Sequence, residues 1–168
     1  LRRIMDRMGK FGARANRGWP MSGTIPAAVQ VVWAGEGRFD ARREGGPSIR
    51  LDSSAKTGPS PVDGLLSALG SCAAVDVVEI LAKRRTPVES LVIDVRAERV
   101  DGTPRRLSRA TLNFSITGKG IERTHAERAI DLAINKYCSV RDSLRADVPV
   151  EWTLSLNGEP ATNRAVPA

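Results

Sequence analysis

The sequence is poor in the residue types that most often carry enzyme chemistry. Its 168 residues include one histidine, two cysteines and only 4% aromatic side chains. The single histidine, His125, gives little support to a serine-hydrolase triad or a metal site, since both usually draw on histidine. The two cysteines, Cys72 and Cys138, form no CxxC motif and no cysteine–histidine cluster, which argues against a zinc site and a thioredoxin-type motif. We therefore expect no metal and no bound cofactor.

Long apolar runs and a secretory leader are missing as well. No run reaches the roughly 18 apolar residues that a membrane span needs, so we expect no membrane partner. The first 20 residues lack the continuous apolar core of a secretory signal, which predicts a cytoplasmic protein. A hydrophobic fraction of 41% and a charged fraction of 27% are typical of a globular domain.

The positive charge is concentrated at the start of the chain. The net charge is +7, and residues 1–20 hold six basic side chains against one acidic one. The remainder is nearly neutral, so we expect no specific nucleic-acid partner. A basic arm that contacts nucleic acid or a membrane is an alternative, which deletion of residues 1–20 would test. The expected organisation is a basic, disordered extension (1–27), one domain (28–157) and a flexible C-terminal tail (158–168).

A long helix is predicted in the middle of the chain. Two strands precede it: one within residues 27–39, which runs into a glycine-punctuated turn, and one within residues 45–54. A breaker cluster follows them. Ser60 suits the N-cap, Pro61 the first turn and Asp63 the positive end of a helix that runs to Arg85. Its apolar residues nearly encircle the helix axis, so every side needs cover. A second copy of the chain is the simplest source of that cover, which predicts a homodimer.

The second half alternates in the manner of strands and then returns to a helical pattern. Residues 91–99 and 109–117 alternate apolar and polar side chains and predict an antiparallel hairpin. Residues 122–145 show apolar positions at three- and four-residue spacing, which predicts a second helix. Residues 148–156 alternate again and predict a last strand. The order of elements indicates an α+β fold with antiparallel pairing.

Each cysteine falls on the apolar face of a different predicted helix. A buried cysteine can be inert, because it packs like a small hydrophobic residue. It can also be a nucleophile that is kept out of bulk water. The residue pattern alone leaves both interpretations open.

The segments around the cysteines resemble a known family. "GPSPVDGLLSALGSCAAVDVVEIL" and "AINKYCSVRDSL" are similar to the two cysteine motifs of the OsmC/Ohr family of hydroperoxide-reducing proteins, in its OsmC-like branch. The resemblance covers about residues 28–157. It implies an OsmC-like fold in which antiparallel sheets wrap long central helices in an intertwined homodimer.

The resemblance also implies a thiol-dependent peroxidase that protects against oxidative stress. Cys72 would attack an organic hydroperoxide, Cys138 would resolve the product as a disulfide, and an external dithiol would reset the pair. A non-catalytic member of the same fold, which binds a small apolar ligand or senses redox state, is the alternative.

Two further residues are implied by the family's arginine and carboxylate. Arg38 is the expected cation, with Arg42, Arg43 and Arg50 as competitors. The carboxylate position is matched by Asp63, which also has a simpler role as a helix N-terminal charge. On one regular helix Asp63 and Cys72 face opposite ways, about 13 Å apart along the axis. If Asp63 is catalytic, it should serve Cys72 of the partner subunit.

Overall fold

The computed structural model describes residues 27–164, and for residues 162–164 the backbone alone. The predicted basic extension therefore lies outside the described residues, except for its last residue. The chain divides into two compact units at the boundary between Arg50 and Leu51.

The first unit carries most of a three-stranded sheet of order β1-β2-β3. Its strands are β1 (Gln30–Trp33), β2 (Arg38–Arg42) and β3 (Ser48–Asp52). The strand and the following glycine turn predicted within residues 27–39 are confirmed as β1 and a tight turn, and the last two of these residues already belong to β2. Gly35 and Glu36 both have positive φ in that turn, a conformation that glycine adopts at no steric cost. The rest of β2 was not predicted as a strand, because its sequence RFDAR is rich in charged residues.

The long helix is confirmed as α1, Pro61–Lys83. Ser60 and Asp63 form a capping box: the Ser60 hydroxyl accepts from the Asp63 backbone N–H, and the Asp63 carboxylate accepts from the Ser60 backbone N–H at 2.9 Å. The loop before the helix is held by Asp52, a buried carboxylate that accepts four hydrogen bonds from Ser54 and Thr57.

One stripe of α1 is buried within the chain and another is exposed. Leu69, Ala73, Val77 and Leu81 have almost no accessible surface. On other sides of the helix the apolar side chains Leu65, Val75 and Val78 are exposed. Contrary to expectation, α1 is also long and apolar enough to cross a membrane by length and composition.

A mixed four-stranded sheet forms much of the second unit, in the order β4-β5-β6-β7. Its strands are β4 (Ser90–Arg99), β5 (Leu107–Thr117), β6 (Val150–Leu156) and β7 (Thr162–Arg164). The predicted hairpin is confirmed: β4 and β5 are antiparallel, with Ile93 opposite Phe114. The expectation of antiparallel pairing throughout is wrong, because β6 runs parallel to β5. The helical crossover between them returns the chain to the same end of the sheet. β7 lies in the segment expected to be a tail.

The predicted second helix is interrupted. It consists of α2 (Arg123–Leu132), a π-helical turn (Ala133–Tyr137) and the short α3 (Ser139–Asp142). Cys138 has φ −70° and ψ 96°, an extended conformation that stops the helix between the last two pieces. A single helix over 122–145 is therefore incorrect, and the interruption falls at the second cysteine.

Close packing sets α1 against the four-stranded sheet. A Cβ atom on Gly70 would lie 2.8 Å from Cγ2 of Val95 in β4. Only a glycine lets the helix approach the strand at this distance. Val95 also packs against the buried core of the second unit, which both cysteines adjoin.

Candidate active site

Cys72 lies near the middle of α1, half-buried, on the side that meets the interrupted second helix. Its Sγ is 4.0 Å from the Ser139 Oγ. Residues on either side of it in the helix, Leu69 and Ala73, are buried in the core. The thiol is therefore held rigidly and still reaches the surface of the chain.

Cys138 lies at the break between the π turn and α3. Its side chain is only 3% exposed. Its backbone N–H donates to the Ala133 carbonyl at 2.8 Å, and its Sγ accepts from the Arg141 backbone N–H at 3.3 Å, as an N-cap residue does. The break thus turns the Cys138 side chain into the start of α3 rather than onward along the helix.

The two thiols are free, and they lie close enough for each to affect the pKa of the other. Their environments push the two pKa values apart. Burial raises the pKa of Cys72, but hydrogen bonds from the Val140 backbone N–H, the Cys138 thiol and Ser139 outweigh it, so the pKa is lowered. Burial raises the pKa of Cys138 to about 11, and the neighbouring Cys72 adds to the increase.

Sequence reasoning missed the groups that favour the Cys72 thiolate. We expected an arginine to offset burial, whereas the donors in the structure are the Ser139 hydroxyl and the backbone N–H groups of Ser139 and Val140. Backbone N–H groups are present in almost every residue, so these donors cannot be recognised from the residue types. The serine directly after the cysteine in "KYCSV" was the one available signal, because serine is a good donor next to a helix start.

A cavity adjoins the buried cysteine. It has a volume of about 580 Å³, and Cys138 and Ser139 line it. Tyr137, which is 49% exposed, stands on its edge. A small molecule can therefore come close to Cys138 and Ser139 from this side, although Cys72 does not line the cavity.

The structure does not bring Asp63 to Cys72 within one chain. Its carboxylate is occupied by the capping box with Ser60, whose hydroxyl group lowers the Asp63 pKa. Asp63 also borders a second cleft of about 420 Å³ between α1 and β4, which Cys72 does not line. In this structure Asp63 therefore acts as a helix-capping charge. A catalytic role of Asp63 toward Cys72 of the partner subunit stays a prediction.

Arg38 and its competitors belong to the first unit, whereas both cysteines belong to the second. The Arg38 guanidinium lies 3.4 Å from the Glu36 carboxylate. Arg50 makes a two-point interaction with Asp40, with N–O distances of 2.8 and 2.9 Å. The assignment of a catalytic arginine stays a prediction.

His125 lies away from the cysteines, in the first turn of α2. Its Nε2 is 2.6 Å from an Arg84 nitrogen, and its Nδ1 is 3.5 Å from the Glu122 carboxylate. Within residues 27–164 no group of three His, Cys, Asp or Glu side chains could hold a metal ion.

Comparison with known proteins identifies the family. The family model described as "OsmC-like protein" matches residues 53–153, and Protein YhfA of Escherichia coli strain K12 is 36% identical over 113 residues, which are 67% of this chain and 84% of that protein. The chain belongs to the OsmC-like family. In an OsmC-like domain α1 is a core helix and not a membrane span.

Solved structures, an OsmC-like protein among them, share the α+β fold with two small sheets. A hypothetical protein from Aquifex aeolicus is 26% identical with a TM-score of 0.68, covering 80% of this chain and 99% of that one. An OsmC-like protein from Mycoplasma pneumoniae is 17% identical with the same TM-score, covering 79% and 97%. The organic hydroperoxide resistance protein OhrB of Bacillus subtilis is a more distant neighbour, at 14% identity and a TM-score of 0.54, covering 78% and 98%.

Proposed function

We propose that this OsmC-like protein is a thiol-dependent peroxidase that reduces organic hydroperoxides. One observation carries the proposal: the half-buried Cys72 has a lowered pKa, the buried Cys138 has a raised one, and each thiol contributes to the other's shift. Two thiols with separated pKa values suit an attacking group and a resolving group. The name of the OhrB neighbour, an organic hydroperoxide resistance protein, agrees with this chemistry.

The reaction uses the two cysteines in sequence. The Cys72 thiolate attacks one peroxide oxygen; an S–O bond forms, the O–O bond breaks, and the alkoxide leaves as an alcohol after taking a proton. The sulfur is now a sulfenic acid. The Cys138 sulfur then attacks it, so that a disulfide forms and water departs. An external dithiol reduces this disulfide by exchange and is itself oxidised.

The environment of each thiol fits its step. Backbone and hydroxyl donors favour the thiolate form of Cys72. Cys138, with a pKa of about 11, keeps its proton at neutral pH and can donate a hydrogen bond to that thiolate. Val140 and Leu144 pack against the core to which Cys138 belongs, and apolar side chains of this kind favour an alkyl hydroperoxide over hydrogen peroxide.

The test is turnover with a defined reductant. With dithiothreitol, the wild-type protein should consume cumene hydroperoxide and Cys72→Ser should not. Ser71→Ala serves as a matched control, because its hydroxyl bonds the Ser67 carbonyl on the same helix and leaves the cysteines untouched. Wild-type consumption no faster than that of Cys72→Ser would refute the proposal. A single stoichiometric oxidation without turnover would instead favour redox sensing.

We further propose that the working form is a homodimer. Val75 and Val78 of α1 are exposed in the single chain, as is Val92 of β4. Covering each large apolar side chain contributes on the order of 1.5–3 kcal/mol. A second copy of the chain would supply that cover, as the pattern of α1 predicts.

A dimer also gives the predicted roles of Arg38 and Asp63 a test. Subunits of Asp63→Ala and Cys72→Ser, if each is inactive alone, should regain activity when refolded together, because one of the two sites would then be intact. Arg38→Ala mixed with Cys72→Ser tests the arginine in the same way. An active Asp63→Ala protein would leave Asp63 with the capping role alone.

A further inference from the structure

A pocket with an arginine rim lies at the N-terminal end of α1, apart from the cysteines. It has a volume of about 290 Å³. Three segments of the second unit build it: the first turns of α1, the β4–β5 connection and the residues between α3 and β6. We call it the arginine-rimmed pocket; its lining includes Leu65, Arg99, Arg105, Arg106, Arg145 and Val148.

The floor of the pocket is apolar. Leu107 and Val148 are buried beneath it, at 8% and 2% exposure. Leu65 is 38% exposed and belongs to the same lining. Such a floor gains free energy when an aliphatic chain displaces water from it, at roughly 25 cal/mol per Å² of apolar surface.

The rim carries more positive than negative charge. Arg106 and Arg145 share one carboxylate, that of Asp147, at N–O distances of 3.5 and 2.9 Å. The Arg99 Nε donates only to the backbone carbonyl of Arg105, at 2.8 Å. Within the described part of the chain, no other carboxylate lies within ion-pair distance of these guanidinium groups. Four cations are thus balanced by a single anion.

Among the rim residues, Arg105 has the guanidinium group that is best placed to bind an anion. Its side chain is exposed and has no hydrogen bond or ion pair among residues 27–164. Its backbone is fixed by the bond from Arg99, so the loop that presents it is held in place. A guanidinium group offers a planar pair of donors that matches a carboxylate.

We propose that the arginine-rimmed pocket binds a small amphiphilic carboxylate, with its aliphatic chain on the apolar floor and its carboxylate on the rim. An apolar cavity with a few convergent polar groups is the usual form of a small-molecule site. The carboxylate relieves the repulsion among the guanidinium groups, and the chain covers Leu65. The proposal does not depend on peroxidase activity.

Octanoate is the probe, and calorimetry on the full-length protein is the measurement. Wild type should bind one octanoate per chain, and binding should weaken as salt is added, because the rim is exposed. Acetate, octanol and octylamine should each bind at least about tenfold more weakly, since each lacks the tail, the charge or the correct sign. Equal binding of octanol and octanoate would overturn the proposal, as would no binding at millimolar octanoate.

Variants locate the site. Arg105→Gln should weaken octanoate binding about tenfold, the loss expected for one charge-assisted contact. Arg109→Gln is the control, because Arg109 pairs with Glu151 and does not line the pocket. Leu65→Asn should weaken the binding of octanoate but not that of acetate. Equal effects of Arg105→Gln and Arg109→Gln would show a non-specific charge effect and overturn the proposal. Cys72→Ser should bind octanoate as wild type does, which separates this test from that of the peroxidase.

Discussion

The Cys72 sulfur and the Ser139 hydroxyl oxygen lie 4.0 Å apart, although the residues are 67 positions apart in sequence. The contact joins the middle of α1 to the first residue of α3. It places a hydroxyl donor and the start of a helix beside the thiol that has the lowered pKa. An arginine is therefore not the only means by which this chain can favour the Cys72 thiolate.

Removal of that hydroxyl should raise the Cys72 pKa. Ser139→Ala removes one donor to the thiolate and keeps the backbone donors, so the rise should be partial. The pH dependence of iodoacetamide alkylation, measured without peroxide in a Cys138→Ser background, reports this pKa directly. Ser71→Ala should leave the profile unchanged. An unchanged profile in Ser139→Ala would remove Ser139 from the site.

Removal of the Cys138 thiol should change the oxidation product of Cys72 but should not prevent the reaction of Cys72 with peroxide. Peroxide-treated wild type should contain a Cys72–Cys138 disulfide, because the two thiols lie close enough to affect each other's pKa. In Cys138→Ser a sulfenic acid on Cys72 should persist and react with dimedone. Mass spectrometry after alkylation distinguishes the products. Two free thiols after turnover would assign Cys138 to the core alone.

Gly70→Ala should destabilise the protein. The added Cβ would lie 2.8 Å from Val95 Cγ2, and overpacking of a core typically costs about 1–3 kcal/mol. Alanine recovers up to about 1 kcal/mol of helix propensity, which offsets only part of that cost. Urea denaturation at fixed protein concentration measures the difference. Gly102→Ala, with no atom within 4 Å of its added Cβ, should be close to neutral.

A charge on the exposed stripe of α1 should separate subunits. Val78 is 40% exposed in the single chain, so aspartate there need not disturb the core of one chain but would place a charge in the proposed interface. Sedimentation of Val78→Asp should show a smaller species than wild type at the same concentration. Glu79→Gln, at an exposed neighbour, is the control. A wild-type monomer would contradict the proposed homodimer.

Asp52 should make stability depend on pH in the acid range. Hydrogen bonds from Ser54 and Thr57 hold the pKa of this carboxyl well below its usual range. Its stabilising effect is therefore present above the unfolded-state pKa of about 3.9 and is lost as pH falls toward the folded-state pKa. The stability gap between wild type and Asp52→Asn, measured in urea, should be large at pH 7 and shrink below about pH 4. Asp94→Asn, at an exposed carboxylate, is the control.

The sequence predicted elements best where side chains alternate or repeat regularly. The apolar residues of 91–99 and 109–117 pair across the β4–β5 hairpin as the alternation requires. The chain direction of β6 was not predictable from its own residues, since alternation is the same for parallel and antiparallel neighbours. It follows from the crossover through α2.

At the site, the sequence motifs identified both cysteines, but they did not predict the backbone geometry around them. The segment around Cys138 contains no proline or glycine, so its sequence does not predict the interruption of the helix. The backbone donors beside Cys72 exist only because α3 begins at Ser139. The alternative that the sequence offered for Asp63, a helix N-terminal charge, is visible in the capping box.

The π turn before Cys138 ties the length of this segment to the direction in which the second thiol faces. A π turn holds one residue more than the α-helical turn it replaces, and such turns are frequent at functional sites. At unchanged length, a return of Ala133–Tyr137 to α-helical winding would rotate Cys138 by about 100° around the axis, and Cys138 would lose its alignment with Cys72. Deletion of one residue in the same turn would cancel that rotation, because the α-helical turn needs one residue fewer. The two sulfurs therefore stay together only when chain length and winding change together: one extra codon and one wider turn compensate each other.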